Sequence, residues 1–257
     1  MELFDTHCHL DLDAFDPDRM QVLADARAAG VRHLLIPGTT RNHWDRLWTL
    51  CASDPALHPA VGLHPVLLGQ HGKEDIGALE AFVKKQRPIA IGEIGLDHLV
   101  ADLDRNGQQE LLEGQLLVAE KHRLPIVLHV RKAHGQLLQT LKEFNLAGGI
   151  CHAFNGSLQQ ARQYMEMGFK LGLGGMLTYE NARKLHKLAR ELPLEGIVLE
   201  TDAPDMSGSR HRYQRNSPAY LPETLQKLAL LRHMPTRELA EITTANGKSV
   251  LGIGQCL

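Results

Sequence analysis

Short apolar segments rich in β-branched residues recur along the chain and alternate with longer segments of helical periodicity. Segments such as PIAIG at 88–92 and PIVLHV at 125–130 do not alternate strictly between apolar and polar residues. Such runs are typical of parallel strands that are buried on both faces. Eight strands are predicted in this way, at Leu3–His7, Val31–Pro37, Leu57–Val61, Pro88–Glu93, Pro125–Val130, Gly149–Ala153, Phe169–Leu173 and Gly196–Thr201.

The segments between these strands place apolar residues at helical spacing. Helices end where glycine or proline follows, as Gly30 follows one helical segment and Pro193 another. Two further helical segments come after the last predicted strand. The helices predicted with explicit ranges are Asp18–Ala29, Gly107–Arg123, Thr178–Leu192, Ser217–His233 and Thr236–Leu251.

Chain length and element count together indicate a barrel. Dividing 257 residues among eight strands gives about 32 residues per unit, the length of one strand plus a crossover helix. A (β/α)8 barrel of roughly 250 residues fits both numbers. No composition break, linker or low-complexity segment divides the chain. The sequence therefore predicts one α/β domain over residues 1–257, a (β/α)8 TIM barrel with an extra C-terminal helix.

Composition and charge exclude several classes of protein. The chain is 43% hydrophobic and carries a formal charge of −2, so it can form a core but has no global basic field for polyanions. No apolar run approaches the roughly 20 residues of a membrane span, and the N-terminal residues lack the order of a secretory signal. Four cysteines without a CxxC pair favour a reducing compartment. We expect a cytoplasmic protein with no membrane association and no obligate protein partner.

Histidine is the unusual feature of the composition, because the 15 histidines outnumber the aromatic residues. His7 and His9 end the first predicted strand, and residues two apart on a strand point the same way. Other polar residues close later strands, and in a barrel all carboxyl ends of strands meet at one face. The residues that we expect to converge there are His7, His9, Glu93, His129, His152 and Asp202.

Four imidazoles and two carboxylates in one pocket predict bound cations. The carboxylates of Glu93 and Asp202 would otherwise repel each other and lose hydration. Six ligands exceed the needs of one tetrahedral zinc, but two divalent ions bridged by a carboxylate would use them all. Zinc, manganese and magnesium all remain candidates. Such a pair of ions makes a bound water nucleophilic, and a carboxylate can take the proton of that water.

Two further residues near this face have open roles. His64 in GLHP either bonds to the backbone or belongs to the site. Asp97 in GEIGLD either caps a turn or supports a metal ligand, and we favour the supporting role.

Basic residues close to the predicted ligands indicate where a nucleic acid could bind. The segment DMSGSRHRYQRN at 205–216 follows Asp202 and has a local excess of positive charge, with Tyr213 available to stack on a base. Arg131 follows His129 by two residues. The alternative interpretation is that these are solvated loop charges. The predicted substrate contacts among these basic residues are Arg131, Arg210 and Arg212.

Six motifs carry these residues: DTHCHLD at 5–11, VGLHP at 61–65, AIGEIGLD at 90–97, PIVLHVRKA at 125–133, CHAFNGS at 151–157 and LETDAP at 199–204. Together they are far more specific than one HxH pair. A chain with these motifs resembles the TatD family of metal-dependent deoxyribonucleases, within the amidohydrolase superfamily, and the resemblance runs essentially from end to end.

The resemblance implies a division of the ligands between two metal ions. The first ion would be held by His7, His9, Glu93 and Asp202, and the second by Glu93, His129 and His152. Glu93 would bridge them, Asp202 would be the base for the attacking water, and His64 would approach the substrate.

The chain departs from the family pattern in two places, GLDHL at 95–99 where relatives usually read GLDYY, and HAFNG at 152–156 where CFSG is usual. Neither departure removes a predicted ligand, but both affect the substrate entrance.

The leading hypothesis is a divalent-metal phosphodiesterase that acts on single strands or ends of DNA. Hydrolysis of a small amide, ester or lactone stays open. A third possibility, binding without catalysis, predicts saturated metal coordination shells.

Overall fold

The computed structural model describes residues 1–254, and within them eight parallel strands form one sheet in sequential order. This confirms the predicted TIM barrel. The strands are β1 Leu3–Asp5, β2 Val31–Pro37, β3 Leu57–Val61, β4 Ala90–Asp97, β5 Ile126–Arg131, β6 Gly149–Cys151, β7 Phe169–Leu173 and β8 Ile197–Leu199.

Backbone hydrogen bonds between the first and last strand regions complete the barrel. The amide of Thr6 donates to the carbonyl of Leu199 at 3.0 Å, and the amide of His9 donates to the carbonyl of Ala203 at 2.8 Å. Between these, the amide of Asp202 donates to the carbonyl of His7 at 2.8 Å. The segments that carry His7, His9 and Asp202 are thus fixed to one another by main-chain bonds.

A helix follows each strand, and one more follows the helix after β8. The helices are α1 Arg19–Ala28, α2 Trp44–Ala52, α3 Asp75–Gln86, α4 Arg105–His122, α5 His134–Leu141, α6 Leu158–Glu166, α7 Arg183–Glu191, α8 Leu221–Arg232 and α9 Thr236–Val250. The predicted extra C-terminal helix is therefore confirmed as α9. No helix among residues 1–254 is long and apolar enough to cross a bilayer.

Two predicted helices are shorter than expected. The helix predicted to begin at Thr178 begins later. Thr178 is the last residue of a 3-10 turn, Gly175–Thr178, and α7 begins only at Arg183. The side-chain hydroxyl of Thr178 donates to the carbonyl of Gly175 at 2.7 Å, which closes that turn locally. The helix predicted to begin at Ser217 starts instead with a 3-10 turn, Pro218–Tyr220, and α8 follows it. Pro222 has no N–H to donate to the carbonyl of Pro218, so an α-helical turn cannot form there.

The ends of several strands also differ from prediction, among them β6, which ends at Cys151, and β8, which ends at Leu199. Two further differences position the site. β1 ends at Asp5, so His7 and His9 lie beyond the regular strand, where Cys8 forms an isolated parallel bridge with Ala203. β4 continues four residues past Glu93, and its register with β5 shifts between Ile91 and Ile94. Such an irregularity re-aims the side chain within it, which here is Glu93.

A layer of apolar side chains fills the barrel below the polar face. Seven of the eight strands each contribute one buried residue to this layer, and Leu251, just after α9, packs against it. The face that carries the six predicted ligands therefore lies on a dry, packed interior rather than on a pore. The seven residues are Phe4, Leu35, Ala60, Ala90, Val127, Ile150 and Val198.

Candidate metal centre

The carboxyl ends of the strands bring all six predicted ligands together. Glu93, on β4, is at the middle of the group and is 1% exposed. Its Oε2 lies 3.1 Å from Nε2 of His7 and 3.4 Å from Nε2 of His9. Its Oε1 lies 2.9 Å from Nδ1 of His129 and 3.0 Å from Nε2 of His152. Each oxygen of Glu93 thus faces a different pair of histidines.

Asp202 completes the group on the side of His7 and His9. Its Oδ1 lies 3.5 Å from Nε2 of His7 and 3.7 Å from Nε2 of His9. The backbone of Asp202 has a φ of 59°, a left-handed conformation that aspartate tolerates better than most residues. The side chain is 14% exposed and lines the cavity above the group, so it is the more accessible of the two carboxylates.

In two of the histidines, a hydrogen bond at the ring nitrogen that faces away from Glu93 fixes the tautomer. Nδ1 of His9 lies 3.1 Å from the carbonyl of Pro37, which can only accept, so Nδ1 carries the proton and the lone pair is on Nε2. Nε2 of His129 lies 2.9 Å from Oδ2 of Asp97, so its lone pair is on Nδ1. Both lone pairs face the carboxylate of Glu93. Lone pairs and a carboxylate at these distances repel unless a cation lies among them, so the donor set fits divalent metal ions.

The two remaining histidines of the group lie face to face. The rings of His7 and His152 stack with centroids 3.9 Å apart and planes at 19°. Within residues 1–254, Nδ1 of each is buried without a hydrogen-bond partner. Their Nε2 atoms both point toward Glu93. Three sets of three ligand atoms here lie within 4.8 Å of one another: His7, Glu93 and His152; His7, His9 and Asp202; and His64, Glu93 and His129.

His64 is close enough to Glu93 to be counted among possible ligands, but its hydrogen bonds indicate another state. The amide of Val66 donates to Nδ1 of His64 at 3.1 Å, which leaves the proton of a neutral ring on Nε2. That N–H faces Oε1 of Glu93 at 3.3 Å. Burial lowers the pKa of His64, which favours this neutral form. His64 therefore combines the two interpretations left open by the sequence: it bonds to the backbone and points into the site.

The pKa values reflect how strongly the group attracts positive charge. Burial disfavours ionisation of His152 and His9, but the carboxylates of Glu93 and Asp202 outweigh it and raise the pKa of His152 to about 10 and that of His9 to about 9. Burial also opposes ionisation of Glu93, yet the surrounding histidines hold its pKa well below the usual range. In a protein without bound metal, protons thus supply the positive charge that the ligand set requires.

Asp97 makes the contacts expected from both interpretations of it. Its Oδ1 accepts hydrogen bonds from the amides of Leu99 at 2.8 Å and Val100 at 3.0 Å, which orders the turn after β4. Its Oδ2 faces His129, and Arg131 lies 3.4 Å from the same oxygen. The predicted substrate contact Arg131 is therefore held at the edge of the site by Asp97.

A cavity of about 920 Å³ opens above the group. It is at the upper end of the range for small-ligand sites. Its wall contains three cationic side chains, Arg131, Lys132 and Lys184, and three apolar side chains that are also exposed to solvent, Leu99, Met176 and Met206. The departure from the family pattern at Leu99 thus lies in the cavity wall.

The predicted loop arginines are not in this wall. Arg210 is exposed and lies 3.8 Å from Glu223, and Arg212 lies over the ring of Tyr213 at 4.7 Å. Arg215 is paired with Asp18 at 2.6 Å. Local charge in the sequence could not show which way these side chains point. Arg210 and Arg212 remain predicted contacts only for a substrate that extends beyond the cavity.

Two residues of the site were missed by the sequence interpretation. Lys184, at the start of α7, lines the cavity, and its Nζ donates to the carbonyl of Asn155. Glu200, directly after β8, is 1% exposed and also lines the cavity. Glu200 could have been noticed, because a glutamate at the end of an apolar strand and two residues before a predicted ligand is rarely buried without a role. No sequence signal distinguishes Lys184 from other helix lysines.

The family model for TatD related DNase matches residues 4–252. The chain belongs to the TatD family. The metal-dependent hydrolase YjjV of Escherichia coli K12 is 36% identical over 252 residues, which are 97% of each chain. The 3'-5' ssDNA/RNA exonuclease TatD of Salmonella typhimurium is 32% identical over 259 residues, 98% of this chain and 99% of that one. These similarities confirm the predicted family and the prediction of a metal-dependent hydrolase.

Solved structures agree with this assignment. The crystal structure of the YjjV protein from Escherichia coli K12 superposes with a TM-score of 0.93 at 35% identity, covering 96% of this chain and 97% of that one. A TatD family hydrolase from Entamoeba histolytica gives a TM-score of 0.83 at 22% identity, with 97% and 98% covered, and supports the fold alone.

Proposed function

We propose that this TatD family hydrolase binds two divalent metal ions and hydrolyses phosphodiester bonds of DNA from the ends of single strands. The single observation that carries the proposal is the position of Glu93, whose two oxygens face two separate pairs of histidines. A carboxylate in this position can bridge two ions. The proposed ligand sets are His7, His9, Glu93 and Asp202 for one ion, and Glu93, His129 and His152 for the other.

Zinc, manganese or magnesium, when bound, would supply Lewis acidity toward the phosphate and lower the pKa of a bound water. Asp202 is the proposed base, because its side chain is 14% exposed and it is therefore the more accessible carboxylate of the group. Glu93 has both oxygens among histidines and is nearly inaccessible, so its proposed catalytic part is to hold the ions rather than to exchange protons. The N–H of His64 can turn from Glu93 to a phosphate oxygen of the substrate.

The cavity wall supports a nucleic acid as the substrate class. Arg131, Lys132 and Lys184 can neutralise phosphates next to the one that is cleaved. Leu99 and Met176 are apolar surfaces that a nucleobase can cover. The named activity of the Salmonella relative is exonuclease action on single-stranded DNA and RNA. These features together favour phosphodiester ends over a small amide or lactone.

The compartment of the protein is proposed on a separate observation. The cysteines among the described residues, Cys8, Cys51 and Cys151, are all free and buried. Free thiols fit a reducing cytoplasm.

The test is hydrolysis of a 5'-labelled single-stranded oligonucleotide with Mn²⁺, Mg²⁺ or Zn²⁺, measured for the wild type, Glu93→Gln and Asp202→Asn. We expect stepwise shortening by the wild type and a fall in kcat of about 10³-fold or more for Glu93→Gln. Gly135→Ala is the control, since a Cβ added at Gly135 meets nothing within 4 Å. Hydrolysis of small esters or lactones without release of nucleotides would refute the nuclease and support a small-molecule hydrolase.

A further inference from the structure

Glu200 is a buried acid that the proposed function leaves without a role. It follows β8 directly and is 1% exposed. Its Oε1 accepts a hydrogen bond from the amide of Ala153, but its Oε2 has no partner within residues 1–254. A buried carboxylate with a free oxygen is costly, because that oxygen has lost its water and gained nothing in exchange. Such a group in a native fold calls for a specific explanation.

His152, next to Glu200, also has a buried polar atom without a partner among the described residues. Its Nδ1 is buried without a partner in the same part of the structure, and it lies 3.8 Å from Oε1 of Glu200. The other ring nitrogen, Nε2, faces Oε1 of Glu93 at 3.0 Å. The separation between Glu200 and His152 exceeds a hydrogen bond by about 1 Å. Bonds of this kind are often long before the site is loaded and shorten afterwards.

Two other histidines of the group show the arrangement that Glu200 would complete. His129 has Asp97 behind its outer nitrogen, and His9 has the carbonyl of Pro37 behind its own. In each case the acceptor fixes the proton on the far nitrogen and leaves the lone pair facing Glu93. Acceptors behind metal-bound histidines are a general device that fixes the tautomer and increases ligand basicity.

We propose that Glu200 is a positioning residue for His152: it accepts the Nδ1 proton and so directs the Nε2 lone pair toward Glu93 and the second metal ion. This rests on the proposed ligand set. It adds a carboxylate that is neither a ligand nor the base, and it assigns the glutamate of LETDAP a function separate from that of Asp202.

The strand next to Glu200 is built to leave room for this carboxylate. Gly172, on β7, faces Glu200, and a Cβ added at Gly172 would collide with Oε2. The backbone of Gly172 does not have a positive φ, so the conformation alone does not require glycine there. Glycine is required at this position because the carboxylate of Glu200 occupies the space that a side chain would need. An alanine at this position would push the carboxylate away from its present place.

The test is a titration of the purified full-length chain with Mn²⁺, followed by calorimetry and by the electron paramagnetic resonance of free Mn²⁺. The variants are Glu200→Gln, His152→Ala and their double. We expect Glu200→Gln to weaken one of the two Mn²⁺ sites about 10- to 100-fold, the site that His152→Ala also weakens. We expect no further loss when it is added to His152→Ala, because Glu200 acts through that ring.

Gly172→Ala provides a second route to the same result, and it should weaken Mn²⁺ binding as Glu200→Gln does. Gly135→Ala should bind like the wild type, because its added Cβ meets nothing within 4 Å. With EDTA, the thermal midpoint of Glu200→Gln should not fall, since the amide oxygen of glutamine can keep the hydrogen bond from Ala153 and no buried acid remains. A purely structural role would lower that midpoint.

Two outcomes would overturn the inference. One is wild-type Mn²⁺ affinity in Glu200→Gln. The other is a double variant whose loss is the product of the two single losses, which would make Glu200 act independently of His152. The titration contains no nucleic acid, so a lack of nuclease activity in the wild type would refute the proposed function and leave this inference standing. A wild type that binds no Mn²⁺ would refute the ligand set itself.

Discussion

Oδ2 of Asp97 lies 2.9 Å from Nε2 of His129, on the opposite side of the ring from Glu93. Asp97 is nearly fully buried, and its Oδ1 is occupied by two backbone amides. The carboxylate therefore holds the ring in one tautomer, while the turn after β4 holds the carboxylate. The orientation of His129 depends on a residue four positions beyond Glu93 on the same strand.

This relationship predicts the effect of Asp97→Asn. The amide can keep the Oδ1 bonds, but its NH₂ group would face Nε2 of His129 and favour the opposite tautomer. We expect metal affinity to fall about 10- to 100-fold, with little change in the free energy of unfolding of the metal-free protein. Calorimetric titration with Zn²⁺ or Mn²⁺ and urea denaturation in EDTA measure the two quantities. Unchanged affinity would show that the tautomer of His129 is fixed in some other way.

Metal binding should depend on pH through the protons that the ions displace. His9 and His152 have pKa values raised to about 9 and about 10, so both carry protons at neutral pH in the metal-free protein. Ligation requires the neutral rings, and each ion must therefore displace protons. Below about pH 9, the apparent affinity should rise about tenfold per pH unit for each proton displaced. Titrations at pH 6, 7 and 8 in buffers of different ionisation enthalpy measure this. Affinity independent of pH, without proton release, would contradict it.

The sequence predicted that the six candidate ligands would lie together, because one rule of the fold was sufficient for that. Parallel barrel strands place their carboxyl ends on one face, so the order of His7, Glu93, His129 and Asp202 along the chain specified a common location. The roles of Glu200 and Gly172 could not be predicted, since they depend on a contact between two strand ends 28 positions apart. The direction in which the loop arginines point could not be predicted from the sequence either. Arg215 belongs to the basic segment at 205–216, yet it pairs with Asp18, 197 positions away.

Substitutions of Lys184 and Arg212 should distinguish substrate contacts inside the cavity from contacts outside it. Lys184 lines the cavity, whereas Arg212 lies over Tyr213 beyond its wall. For a dinucleotide, we expect Lys184→Met to raise KM several-fold, about the effect of 1 kcal/mol, and Arg212→Met to leave KM unchanged. For a long single strand, both substitutions should lower the salt dependence of binding, by about 0.7 in the log–log slope per lost phosphate contact. Equal effects of both variants on the dinucleotide would contradict this division.

The other end of the barrel should determine part of the acid sensitivity of the fold. His58, on β3, is buried, and its Nε2 lies 3.0 Å from Nδ1 of His33. Burial, with His33 and Lys248 next in importance, lowers the pKa of His58 to about 4. The unfolded chain has a histidine pKa near 6.5, so between pH 6.5 and 4 the unfolded state binds a proton that the folded state does not. The free energy of unfolding should fall as pH falls through this window, by up to about 3 kcal/mol from this residue.

His58→Gln removes the titrating group and keeps a polar side chain that can bond to His33. Its free energy of unfolding, relative to the wild type, should be constant above about pH 6.5 and should increase as pH falls toward 4. Urea denaturation at pH 7.5, 5.5 and 4.5, with EDTA present so that metal binding does not contribute, measures the difference. His233→Gln makes the same substitution at an exposed histidine and is the matched control. A constant difference between His58→Gln and the wild type over the whole range would show that protonation of His58 does not drive acid unfolding.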